Sequence, residues 1–232
     1  MIKIALCGYK GRMGGRIEFF LSQDPDMKIL SRIDAEDAVA GAFDDIDVVI
    51  DFSSPSGAIE HIGEAAAKRK PFVLGTTGFS SDQEAEITRA ASKIALLKSS
   101  NMSIGVNLLL KIIEETTAAL GNSYSISIEE THHVHKKDSP SGTALMMKKS
   151  AAKNFNGEIG IVSHRKGEVA GDHKIAFEGE EETLTFFHHA KSRDLFARGA
   201  VAAAKWIVGR KAGLYTMQDV LFKYPLKSWL QQ

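Results

Sequence analysis

Residues 2–14 read Ile2-Lys-Ile-Ala-Leu-Cys7-Gly8-Tyr9-Lys10-Gly11-Arg12-Met13-Gly14. A short apolar run passes straight into three glycines, and helix-like spacing follows over residues 12–22. Between a strand and a helix, each glycine has a physical use. Gly8 permits the tight turn, Gly11 lets backbone approach a pyrophosphate, and Gly14 lets the helix pack close to the strand. The helix start adds free N–H groups and a positive dipole end. The spacing is GxxGxxG rather than GxGxxG, so a plain strand–helix turn is the competing reading.

Working outward, Asp34 closes a second strand over residues 28–33, about 20 residues beyond the loop. An acidic group there can hydrogen-bond ribose hydroxyls; its alternative is an ordinary turn aspartate. Ala35 follows, so no arginine stands there to meet a 2′-phosphate, which favours NADH, although Lys10 and Arg12 can also reach such a group. Strand patterns at 48–52, 72–74 and 95–98 alternate with helical patterns at 56–68 and 82–93. This alternation predicts a doubly wound parallel sheet. Gly75-Thr76-Thr77-Gly78 and Ser99-Ser100-Asn101-Met102 follow two of those strands, where open α/β sheets bind ligands.

The pattern then changes. A helix over 106–120 and an alternating strand over 125–130 precede a helix over 142–153. Three strands follow over 158–164, 173–178 and 183–189, then a long helix over 193–208. Clustered strands after a βα alternation predict a second, α+β domain. The joints are expected near 103–105 and 212–214. This gives a dinucleotide-binding domain of 1–103 plus 213–232 and a substrate-binding and oligomerisation domain of 104–212. Residues 215–226 are expected to pack back on the first domain.

Bulk properties narrow the classes. The 232 residues carry 29 basic and 29 acidic side chains, a balance that gives no reason to expect nucleic acid or an anionic membrane. Cys7 is the sole cysteine, which rules out an intrachain disulfide and suits a reducing compartment. The amino-terminal stretch lacks the sections of a signal peptide, and no apolar run approaches the ~20 residues that cross a bilayer. A cytoplasmic location is expected.

The densest chemistry is Glu130-Thr-His132-His133-Val134-His135-Lys136-Lys137-Asp138-Ser139-Pro140-Ser141-Gly142-Thr143. It runs from a strand end to a helix start. Pro140 suits the first helical turn with Asp138 or Ser139 as cap. Gly142 and Thr143 then present N–H and hydroxyl groups at a helix end that suits carboxylates. His132, His133 and Lys136 add cationic or proton-donating groups, and crowding is expected to bring a lysine into range as a general acid. A zinc site is disfavoured, because a strand sends His132 and His133 to opposite faces and no cysteine lies nearby; no metal is expected. A solvated charged loop is the other alternative.

Together these segments resemble the 4-hydroxy-tetrahydrodipicolinate reductases over nearly the whole chain. The stretch from Glu130 to Leu145 matches their E-x-H-H-x-x-K-x-D-x-P-S-G-T-A signature in order and spacing. Residues 8–14, 51–53, 75–79, 101–107, 165–173 and 192–196 add further matches. The resemblance implies a Rossmann-like domain plus an α+β domain whose sheet assembles a homotetramer, and it implies NADH or NADPH as cofactor with a small dicarboxylate as substrate. It places His132 and Lys136 at the proton-transfer positions and His133, Gly142 and Thr143 at substrate positions. Gly8, Tyr9, Lys10, Gly11, Arg12, Met13, Asp34, Gly75, Thr76, Thr77, Ser99, Ser100, Asn101 and Met102 line the dinucleotide in that scheme. Val134 and Ala35 depart from the family pattern, and only Ala35 bears on cofactor choice. Binding to different domains implies closure during catalysis. A two-domain dehydrogenase of another kind and a silent dinucleotide sensor are the alternatives; the sensor does not need His132 and Lys136.

Overall fold

The computed structural model describes residues 1–223. Contacts divide the chain into two units, Met1–Ser103 with the chain from Asp194 onward, and Ile104–Arg193.

In the first unit, β1 (Ile2–Cys7), β2 (Met27–Ile33), β3 (Val48–Asp51), β4 (Phe72–Leu74), β5 (Ala95–Lys98) and β10 (Gly213–Tyr215) form one sheet in the order β2-β1-β3-β4-β5-β10. All five strand pairings are parallel. β1 and β3 are buried along nearly their whole lengths, as strands covered on both faces require. The chain runs from β1 outward to β2, then crosses back over β1 to β3. The switch point therefore falls between the carboxyl ends of β1 and β3, where such sheets bind ligands. Helices α1 (Arg12–Ser22), α2 (Pro55–Ala67) and α3 (Ser81–Ala91) make the crossovers. α3 starts with a capping box in which Ser80 and Gln83 satisfy each other's backbone N–H groups.

The second unit is a four-stranded sheet in the order β7-β6-β8-β9, built from β6 (Ser125–His132), β7 (Ile159–Arg165), β8 (Asp172–Glu178) and β9 (Thr183–His189). β6 runs parallel to β7 and antiparallel to β8, which is antiparallel to β9. Ile126, Ile128, Ile175 and Phe177 turn one face into a core shared with Val106, Leu110 and Ile113 of α4 (Ile104–Leu120) and Met147 of α5 (Gly142–Ala151). On the other face Val162 of β7 and Phe187 of β9 are 56% and 62% exposed.

The first joint falls between Ser103 and Ile104. The second lies at Arg193/Asp194, not near Ala212. The reason is where α6 (Asp194–Ile207) packs: against α1 and over β3, β4 and β5. Arg16 of α1 donates two hydrogen bonds to Asp194, both of 2.7 Å. Gly199 lies so close to the β5–α4 loop that a Cβ would stand 1.8 Å from the Met102 carbonyl oxygen. Within the expected return segment, β10 pairs with β5. Residues 224–226 of that segment lie outside the described residues.

Candidate active site

The glycine loop of the first unit is built for close approach. Gly8 takes φ 77°, and a Cβ there would stand 2.4 Å from the Phe52 carbonyl oxygen. At Gly14 a Cβ would meet the Gly8 carbonyl oxygen at 2.2 Å. Gly11 caps α1 without a side-chain hydrogen bond, and the first turn holds no acidic residue to oppose the dipole. A cavity of about 440 Å³ opens at the switch point, lined by Gly8, Gly11, Asp34, Phe52, Ser53 and His61 among others. A bare glycine cradle, an uncapped helix start and a cavity between them fit a dinucleotide.

Asp34 follows β2 at the cavity wall. Its carboxylate accepts hydrogen bonds from the backbone N–H groups of Lys10 and Ala35, each at 3.0 Å. The Ala35 bond first and the Lys10 bond second hold its pKa below the ordinary carboxylate value. Asp34 thus fastens the glycine loop to the end of β2. The Lys10 ammonium stands 3.4 Å from Glu36. Arg12 is exposed, and Tyr9 and Met13 are half-buried in the same loop.

The next two loops differ from expectation in side-chain direction. Thr76 is buried and donates its hydroxyl to Asp51 at 2.7 Å rather than offering it to the cavity. Asp51, fully buried at the end of β3, also accepts from the Ser53 hydroxyl at 2.9 Å and faces His61 Nδ1 at 2.6 Å. This carboxylate ties the ends of β3 and β4 to α2. Thr77 is exposed and Gly75 lies against the Phe52 ring. Ser99, Asn101 and Met102 are buried, and Asn101 accepts the Ser103 N–H at 2.9 Å; Ser100 is exposed. The Ser99 hydroxyl donates to the Asn101 carbonyl oxygen at 2.7 Å, so the side chains of Ser99 and Asn101 brace this loop against its own backbone.

In the second unit the structure brings His132, Lys136, Gly142 and Thr143 onto one connected segment. His132 ends β6, buried, with Nδ1 hydrogen-bonded to the fully buried Glu130 carboxylate. Burial pushes the His132 pKa down, Glu130 opposes this, and Lys136 and Arg165 add to the lowering. His132 Nε2 lies beside Gly171, 3.1 Å from where a Cβ would stand. Lys136 makes contacts of 2.7 and 2.8 Å with Asp138. The crowd of cations expected around this lysine is therefore broken by a carboxylate. Lys136 in turn holds Asp138 below the usual carboxylate range.

Ser141 caps α5, accepting the Ala144 N–H at 3.2 Å, with Gly142 as the first helical residue. The cap is neither Asp138 nor Ser139, and Pro140 precedes the helix. Asp138 is engaged with Lys136, while Ser141 is fixed from the sheet. Glu130 accepts its N–H at 3.2 Å, and His173 Nε2 lies 3.1 Å from its hydroxyl. Gly142 is exposed and Thr143 half-exposed at this helix start. His133 leaves the strand on the other side and meets the Arg193 guanidinium at 3.1 Å.

Glu130, Arg165, His173 and Arg193 had no assigned role in the sequence reading. Glu130 was legible only as the first residue of the signature. The histidines at 132, 133 and 135 do not converge. Among the described residues, the group with ligand atoms within 4.8 Å of one another is Cys7, Asp51 and His61. Burial pushes the Cys7 thiol well up, aided by Asp51 and Asp34, which opposes the thiolate a metal needs.

Comparison with known proteins agrees with both halves. The model for dihydrodipicolinate reductase, N-terminus, matches residues 2–102, and that for its C-terminus matches residues 105–221. A 4-hydroxy-tetrahydrodipicolinate reductase of Zymomonas mobilis is 38% identical, covering 95% of this chain and 97% of the relative. One of Caulobacter vibrioides is 39% identical over the same shares. In structure, the chain is similar to a dipicolinate-bound dihydrodipicolinate reductase from Paenisporosarcina (TM-score 0.82, 22% identity, 95% of this chain and 100% of the other). Diaminopimelate dehydrogenase of C. glutamicum shares the fold more loosely, at a TM-score of 0.61 and 13% identity over 99% and 98% of the two chains. The two matches fall in order on the unit that carries the glycine cradle and on the stretch that carries the histidine–lysine segment, and the chain belongs to the dihydrodipicolinate reductase family.

Proposed function

We infer that this chain reduces 4-hydroxy-tetrahydrodipicolinate to tetrahydrodipicolinate, with loss of water, in the diaminopimelate route to lysine. The observation that carries this reading is the segment 130–143, where a carboxylate-held histidine and a lysine lead into a helix start bearing Gly142 and Thr143. The dinucleotide supplies the hydride. Water leaves the fourth ring carbon, hydride arrives there, and one proton is taken up overall. His132 and Lys136 are assigned to proton transfer. Gly142, Thr143 and His133 are assigned to the substrate carboxylates, the helix dipole and N–H groups favouring an anion at that end. The Paenisporosarcina relative was solved with dipicolinate, a flat ring dicarboxylate, which supports the substrate class.

The cofactor-binding assignments stand on the first unit: Gly8–Met13 for the pyrophosphate, Asp34 for ribose, and the loops 75–77 and 99–102 for the remainder. Asp34, Asp37 and Glu60 line the cavity, and Lys10 is turned to Glu36. A 2′-phosphate dianion would meet carboxylates there, so NADH is expected to serve at least as well as NADPH. Oxidation of each cofactor with freshly generated substrate tests reaction and preference together. No oxidation of either cofactor would remove the reaction. An NADPH efficiency roughly tenfold higher, about 1.4 kcal/mol, would overturn the preference.

The oligomer is assigned as a homotetramer formed through the open face of the four-stranded sheet, in a reducing cytoplasm. Support comes from Val162 and Phe187, exposed there beside the charged pair Glu129–Lys174. No described helix is long and apolar enough to cross a membrane. Charging that face by Val162→Asp with Phe187→Asp is expected to reduce the mass measured by light scattering. An unchanged tetramer would move the interface elsewhere.

A further inference from the structure

Glu130 touches His132, Ser141 and Arg165, though the signature alone gives it no task. Its side chain is fully buried on β6. One oxygen meets His132 Nδ1, and the other accepts the Ser141 N–H at 3.2 Å. Arg165 of β7 spans both oxygens at 3.1 Å. The same guanidinium donates at 2.6 Å to the Asp138 carbonyl, and the Asp138 carboxylate holds Lys136. One carboxylate thus sets the ring of His132, the first turn of α5 and, through Arg165 and Asp138, the loop that carries Lys136.

We propose that Glu130 is the positioning residue of this site, holding His132 with Nδ1 protonated and Nε2 presented for proton exchange while registering the carboxylate-binding helix start against it. The inference rests on the reading of His132 as a proton-transfer residue. A buried carboxylate against Nδ1 selects the tautomer and stabilises the imidazolium, and Arg165 keeps that carboxylate ionised. Burial raises the Glu130 pKa, but bonds from Ser163, His132 and Arg165 outweigh it and hold the group below its ordinary value. The groups facing His132 are Glu130 on its own strand, Arg165 from β7, His173 from β8, and Lys136 and Asp138 from the following loop. Among them Glu130 favours the charged ring, while Arg165 and Lys136 oppose it.

This arrangement gives two substitutions opposite signatures. Glu130→Gln keeps the shape and removes the negative charge, leaving Arg165 unopposed. The kcat–pH limb governed by His132 is expected to move to lower pH by about one unit or more, the scale of a lost neighbouring charge. Turnover at neutral pH should fall roughly tenfold or more. Arg165→Gln removes a cation that opposes the imidazolium, so the same limb should move to higher pH. A merely structural role would lower activity without moving the limb in opposite directions.

The experiment measures kcat against pH for the full-length enzyme, Glu130→Gln, Arg165→Gln and His132→Ala, with titration of each by the dinucleotide. Opposite displacements with unchanged dinucleotide affinity are the expected result. If Glu130→Gln fails to fold, Arg165→Gln decides alone, because a stationary limb there overturns the proposal. A stationary limb in both variants, with the limb lost in His132→Ala, overturns Glu130 and leaves His132 standing. A limb retained in His132→Ala overturns both readings together.

Discussion

Replacement of His132 or Lys136 by alanine is expected to lower kcat by roughly 10²-fold or more, the scale of lost general acid–base catalysis. His132 is buried and its Nδ1 is committed to Glu130, so only Nε2 is left for exchange. Lys136 Nζ donates to Asp138 at 2.7 Å within the same segment. Both residues sit on the unit that lacks the glycine cradle, so each variant should still bind the dinucleotide. Substitution of His133 or Thr143 should act differently. They are assigned to carboxylates in the ground state, and KM should rise more than kcat falls. Steady-state kinetics of the four variants beside cofactor titrations decide the matter. Near-normal turnover in both the His132 and Lys136 variants would remove the acid from the scheme. Lost cofactor affinity in those variants would undo the division of labour between units.

Acid should destabilise the second unit before it protonates most carboxylates. His173 lies buried on β8 with its ring centroid 5.0 Å from that of His132. Burial, then the charges of His132 and His188, push its pKa from 6.5 down to about 4. The sign follows from proton uptake. Between pH 6.5 and 4 the unfolded chain binds a proton that the folded chain refuses, so stability is full above 6.5 and falls as the pH drops. The full difference from this one group is about 3 kcal/mol. His132 and His188 are lowered in the same direction, burial being the first cause in each, and they steepen the slope. Urea unfolding at pH 7 and pH 4.5 measures it, and His173→Gln should flatten it. An unchanged slope in that variant would clear His173 of the effect.

How far the sequence could be read depended on whether the deciding contacts were local. The β1 turn, the strand–helix alternation and the cluster at 130–143 are written in neighbouring residues, and they emerged with their order intact. Thr76 was misjudged in direction because its partner, Asp51, lies 25 residues away. Residues 138, 139 and 141 are all able to cap a helix. The choice fell to Ser141 because Glu130 and His173 hold it from the sheet, a contact that no local pattern displays. The second joint was displaced for a similar reason. The residues of α6 spell a helix plainly, but that it packs on α1 and over β3, β4 and β5, with Gly199 against the Met102 carbonyl, is set by partners far away in the chain.

The passage from β2 back across to β3 has no helix. It is anchored by Val39, Phe43 and Ile46, each buried, while Ala35, Glu36 and Asp37 remain exposed beside the cavity. Elsewhere the cavity wall is made by Gly8, Gly11, Ser53 and His61, and the last two are held by the buried Asp51 carboxylate, which also takes the Thr76 hydroxyl. Under the proposed cofactor assignment, substitutions at 35–37 are expected to shift the nicotinamide preference while the Asp51 bonds stay untouched. The same separation marks where an engineer should begin, with libraries confined to 35–37 and the deeper carboxylate left alone.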